Sequence, residues 1–233
     1  MYKLPQKLAA EFLGTFALIL AVSGSICADQ YLRAGGNGGF GILGVALAEG
    51  LAFSLMFTAL AHVSGAHFNP AVSIGFWVTK RLSTIETIFY WLAQLLGALS
   101  AAYFLTAVLP ESAWRPVGLG VTNLAPDFTR MHGMLLEAVL TFFLVFIFFA
   151  ASVDSRGAAN RVGGFAIGFT ITLGVLIAGP FTGASMNPAR TFGPALAANQ
   201  WTNHGVYWVG PLFGGILGAV LYDRLFLRDQ PPA

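Results

Sequence analysis

Six apolar runs divide this chain, at about 8–28, 40–62, 85–109, 131–152, 162–179 and 205–226. Each is near the roughly 20 residues that a helix needs to cross a bilayer. Charged residues make up only 9% of the 233 residues and hydrophobic ones 56%, against the roughly 25% charged of a soluble domain. A chain so poor in charge cannot cover six such helices with a polar surface, so lipid must be their solvent. The expected class is all-α and integral to the membrane. Two further apolar pieces, about 70–78 and 188–198, are too short to cross and read as re-entrant half-helices.

The cations fix the orientation. Lys3, Lys7, Lys80, Arg81, Arg156, Arg161, Arg224 and Arg228 all fall on one side of a six-span topology. Arg33, Arg115 and Arg130 fall on the other, and Arg190 lies within the second half-helix. Basic residues concentrate on the cytoplasmic side, which puts both termini there. The net charge of +2 is scattered and forms no nucleic-acid patch. No cleavable leader is read at the N-terminus, since Glu11 interrupts the first apolar run. The plasma (inner) membrane is the expected location.

The chain repeats itself. Ser64-Gly65-Ala66-His67-Phe68-Asn69-Pro70-Ala71 is matched by Thr182-Gly183-Ala184-Ser185-Met186-Asn187-Pro188-Ala189. Glu11 and Thr15 are matched by Glu137 and Thr141, four apart and so on one helix face. Residues 1–110 form one half, 111–130 an external connection and 131–233 the other half. Each half carries three spans, an odd number, so the second is inverted relative to the first. The 28 glycines allow close helix packing.

Asn before Pro-Ala is a helix N-cap followed by proline at the first helical position, where no N–H is required. Irregular backbone at membrane depth is tolerated only if protein buries it or it lines a wet cavity. A duplicated helix start inside a bilayer therefore reads as a pore. Taken singly, each Asn is a plain cap; the duplicated pair favours a transport role. Glu11 and Glu137 are intramembrane carboxylates and need partners. They either brace the re-entrant loops or couple protons, and their symmetry favours bracing.

With these motifs, Arg190 after the second Asn-Pro-Ala, and Tyr207-Trp208-Val209-Gly210-Pro211 at the last span, the whole chain resembles the aquaporin (major intrinsic protein) family. The stretch 179–195 is especially similar to the plant vacuolar-membrane branch, while the short tails look microbial. The resemblance implies six tilted helices, two half-helices meeting head to head, and a homotetramer with one pore per subunit. It also implies no cofactor, no metal and no enzymatic activity, with water as the permeant. Asn69 and Asn187 would donate to a passing water. The carbonyls of Gly65, Ala66, His67, Phe68, Thr182, Gly183, Ser185 and Met186 would form a ladder of acceptors. The family's four filter positions map to Glu49, Val175, Ala184 and Arg190. An acidic residue and two small ones depart from a narrow aromatic filter. Thr191 and Ala195 stand where glycerol-conducting members carry an acid and a base.

Two readings of Glu49 follow: it faces the pore and pairs with Arg190, directly or through water, or it turns away toward neighbouring backbone. The expected function is a passive water channel excluding protons and ions. The alternative is a broader facilitator of glycerol, ammonia, hydrogen peroxide or urea. A proton-coupled carrier and an adhesive scaffold are more distant readings. His67 is expected to fix its loop, and His62 lies near the cytoplasmic end, where a pH gate is a minor reading. Cys27 is expected to pack, and the loop from Asp154 to Arg161 to act as a solvated connector rather than a cap.

Overall fold

A computed structural model describes residues 2–156 and 162–227. Among the described residues six helices have the length and apolarity to cross a membrane. They are α1 (Leu4–Ala34), α2 (Gly41–Ser64), α4 (Thr84–Val108), α6 (Arg130–Ser152), α7 (Gly163–Thr182) and α9 (Val206–Tyr222), the last reaching that length together with the turn that continues it to Leu227. The half-helices are α3 (Pro70–Val78) and α8 (Pro188–Ala198), and a short helix α5 (Glu111–Trp114) lies in the connection between halves. A π-helical turn, Asp223–Leu227, follows α9. Each half thus runs long, long, half, long. Arg161 and Arg228, and most of the connector after Asp154, lie outside the described residues.

Element ends follow local chemistry. Ser83 and Glu86 form a reciprocal capping box at α4, and Thr129 caps α6 through the backbone N–H of His132. Gly65 and Gly183 close α2 and α7 in the left-handed region, at φ 89° and 81°, which glycine enters without strain. The first span is longer than its apolar run. Asp29, Gln30 and Arg33 continue the helix past residue 28, held by an Arg33–Asp29 ion pair of 2.7 Å one turn apart. The fifth span passes through Pro180 and stops at Thr182, whose hydroxyl is tied to Glu137.

Helices cross where glycine removes the side chain. A Cβ on Gly50 would collide with the carbonyl of Gly168, and one on Gly168 with the carbonyl of Gly50, so α2 and α7 meet backbone to backbone. Glycine against a neighbouring helix's carbonyl recurs in both halves. Gly97 of α4 lies against the Phe12 carbonyl of α1, and Gly214 of α9 against the Ala138 carbonyl of α6. Such close approach lets dispersion and weak Cα–H···O contacts hold helices that no hydrophobic effect drives together in lipid. Large apolar side chains on the outside, such as Leu43, Leu51 and Leu55 of α2 or Phe169, Leu173 and Ile177 of α7, are exposed. That is the reverse of a soluble protein and suits a lipid solvent.

Candidate functional site

The two half-helices start at the same place from opposite directions. Asn69 Oδ1 accepts the Ala71 N–H at 2.8 Å, and Asn187 Oδ1 accepts those of Ala189 at 2.9 Å and Arg190 at 3.4 Å. Each amide then reaches across. Asn69 Nδ2 donates to the Met186 carbonyl at 2.8 Å, and Asn187 Nδ2 to the Phe68 carbonyl at 2.9 Å. An amide nitrogen carries two hydrogens, so one on each Asn is left over. Both residues line a small central chamber of about 10 Å³ with Leu18, Phe53, Leu144 and Ile171. That is room for on the order of one water.

The loops leading to these caps are strained in matching fashion: Ala66 and Phe68 have φ of 52° and 50°, Ala184 and Met186 of 47° and 51°. Non-glycine residues persist there only when neighbours over-determine them, and two buried glutamates do so. Glu11 accepts the N–H groups of His67 at 3.0 Å and Phe68 at 2.7 Å, the Ser64 hydroxyl at 2.7 Å and the Gln94 amide at 2.8 Å. Glu137 accepts those of Ser185 at 2.9 Å and Met186 at 2.7 Å and the Thr182 hydroxyl at 2.8 Å. Tyr90 and Tyr207 complete the braces by donating to the carbonyls of Ser64 and Thr182, both at 2.8 Å.

These partners went unread in the sequence. Ser64 and Thr182 precede the repeated Gly-Ala and could have been found from the repeat itself. Tyr90, Gln94 and the bracing role of Tyr207 carry no local signal, because each reaches its loop from the following span.

The expected carbonyl ladder is partly engaged. Phe68 and Met186 receive the cross-repeat amides and Thr182 receives Tyr207, so each has one lone pair left. The His67 ring packs against Phe76, Tyr90 and Phe148, with Nδ1 3.1 Å from Ser73 Oγ. His62 meets Tyr2 edge-on, and Cys27 is fully buried among Ala102, Leu105 and Leu119.

Arg190 projects from the first turn of α8, and its Nη1 donates to the Gly120 carbonyl at 2.7 Å. Glu49 enters from α2, and its Oε1 lies 3.9 Å from Arg190 Nε, with both side chains only 4% exposed. That spacing is an ion pair without a hydrogen bond. Val175, Gly183 and Arg190 line an outer vestibule of about 520 Å³. Val175 and Ala184 both belong to the apolar core; of the two, Val175 also lines the vestibule, where Gly183 stands beside it. The Ala184 N–H is held by the Thr182 hydroxyl at 3.1 Å. Among the described residues no group of three or more His, Cys, Asp or Glu side chains is placed to hold a metal ion.

Residues 2–222 match the Major intrinsic protein family. The chain belongs to that family. Among its relatives, Probable aquaporin TIP3-2 of Arabidopsis thaliana is 42% identical over 232 residues, covering 96% of this chain and 85% of its own. Aquaporin TIP4-4 of Zea mays is 43% identical over 94% of this chain and 86% of its own. Aquaporin-4 of Mus musculus is 39% identical over 95% and 67%. The X-ray structure of the aquaglyceroporin from Plasmodium falciparum superposes with a TM-score of 0.85, at 22% identity over 97% of this chain and 98% of that one. At that identity the likeness is one of fold. This major intrinsic protein therefore has its paired caps, braces and ion pair on a scaffold shared with named aquaporins.

Proposed function

We propose that this chain is a passive water channel, a conduit rather than an enzyme, through which water moves down an osmotic gradient while protons and ions are excluded. The observation that carries the reading is the pair of Asn amides, each tied across the repeat by one N–H and left with another beside the central chamber. Water held by two donors at one point cannot keep accepting from its neighbours in a continuous wire, so proton hopping stops there. The half-helix N-termini each contribute roughly half a positive charge to the same point, which opposes cations. Apolar Leu18, Phe53, Leu144 and Ile171 on the walls give water few competing partners, so passage stays fast.

Glu49, Val175, Arg190 and the Gly183–Ala184 turn are the proposed filter. The small Val175 and the absence of an aromatic at Glu49 favour a second reading, a broader facilitator of small neutral solutes. We further place the protein in the plasma membrane with cytoplasmic termini, and as a homotetramer through its exposed apolar helix faces. Stopped-flow shrinkage of proteoliposomes under an impermeant osmolyte tests the channel. Fast shrinkage with a low activation energy supports it, and a rate equal to empty vesicles refutes it. Slow re-swelling in glycerol separates the water channel from the broader facilitator.

A further inference from the structure

We propose that a recess between the starts of α6 and α9 binds the phosphate of an anionic phospholipid. The recess has a volume of about 340 Å³, within the roughly 300–1,000 Å³ of small-molecule sites. Two helices begin at it, α6 with Arg130 and α9 with Val206. Neither has an acidic residue in its first turn, so the positive ends of both macrodipoles are uncompensated there. Arg130 adds a full positive charge at the end of a helix that favours anions.

The recess holds a guanidinium with donors to spare. Arg130 Nε donates to Asn203 Oδ1 at 3.1 Å, and Asn203 Nδ2 donates to Asn123 Oδ1 at 3.1 Å. These bonds orient the planar group but use one of its five N–H donors. Among the described residues no carboxylate pairs with Arg130, and none lines the recess. His204 lines it too. Its Nε2 accepts the Trp208 indole N–H at 3.0 Å, which puts the ring proton on Nδ1. Partial burial lowers the His204 pKa from its usual value, so at neutral pH the ring is an uncharged donor. One positive charge and several N–H groups suit a phosphodiester, whose two anionic oxygens a guanidinium fork binds together. A headgroup with its own ammonium would bring a second cation to a recess that has no carboxylate for it.

The rest of the wall makes the ligand a lipid. Met134, Val206 and Val209 line the recess below the charge. Val209 is 57% exposed and Phe213, one turn on, 59%, so the apolar wall continues along the outside of a membrane-spanning helix. A phosphate that carries acyl chains leaves them on this surface, in their ordinary solvent. A water-soluble phosphate would set its hydration shell against it. Trp201, 41% exposed, also lines the recess, and tryptophan is the residue that settles at headgroup level.

The test is native mass spectrometry of the delipidated protein in detergent, titrated with phosphatidylglycerol. The wild type should hold its tightest phosphatidylglycerol at least about tenfold more strongly than Arg130→Gln, the scale of one lost charged hydrogen bond. Arg130→Lys keeps the charge without the fork and should bind about threefold more weakly than wild type. Lys80→Gln, at the far end of α3, should bind as the wild type does. Two further arms need no variant. Phosphatidylcholine should bind the wild type about tenfold more weakly, and inorganic phosphate or glycerol phosphate should not displace phosphatidylglycerol. Equal affinity in wild type and Arg130→Gln would overturn the proposal, and full affinity in Arg130→Lys would replace the built site with diffuse charge attraction. Displacement by the soluble phosphates would overturn the lipid as ligand. Loss of oligomer in Arg130→Gln with lipid affinity unchanged would make the recess a contact between copies of this chain and overturn it as well.

Discussion

Glu137 and Asp154 make different use of a carboxylate. Glu137 is fully buried, and its acceptors fix Ser185, Met186 and Thr182 at the strained turn. In Glu137→Gln one oxygen becomes an NH₂, which must face a donor. Leaving a buried donor unpaired costs about 1–3 kcal/mol. The variant should melt earlier in detergent and conduct less water; an unchanged melting temperature would remove the bracing role. Asp154 lies beyond the end of α6, where it accepts from Arg156 and from the Tyr222 hydroxyl at 3.0 Å. The hydrogen-bonded Arg156 guanidinium holds its carboxyl below the usual carboxylate range. A depressed pKa contributes stability that is complete above the unfolded value of about 4 and fades as pH falls through the folded one. The melting difference between wild type and Asp154→Asn should therefore be constant near neutrality and shrink only in strong acid. A difference that changes between pH 6 and 8 would contradict this.

Helix crossings are decided by backbone proximity. Gly50 and Gly168 pack each against the other's carbonyl, and carbonyls in two long helices cannot step aside as a flexible side chain can. Gly168→Leu should force α2 and α7 apart and prevent recovery of monodisperse protein. Gly24→Ala is the control, since its Cβ would meet only Leu105 Cδ2 at 3.7 Å, an ordinary contact. Equal yields for the two variants would show that the α2–α7 approach is dispensable. The elements themselves were legible from apolar run length, and the half-helices, expected at 70–78 and 188–198, occupy Pro70–Val78 and Pro188–Ala198. They were the clearest because Asn-Pro marks a helix start with little dependence on tertiary context. The end of α1 was less legible, because hydropathy stops where helix propensity and the Asp29–Arg33 pair carry on.

Across the whole molecule, the inverted halves are locked at the two Asn amides. Asn187→Ala removes a cap worth about 1 kcal/mol and the tie to the Phe68 carbonyl. It should lower both thermal stability and water permeability, and retention of both would show that the amide pair is incidental. The sequence by itself determined a lipid-embedded, inverted repeat with two paired helix starts, because run length, cap chemistry and duplication are local properties of the chain. Tertiary structure decided what those pieces do to one another. It placed Gly183 at the vestibule, brought Tyr90 and Gln94 of α4 onto the first loop and its brace, and left Glu49 and Arg190 near but unbonded. Distances of that kind depend on how closely glycine lets helix backbones approach, which no local run of sequence encodes.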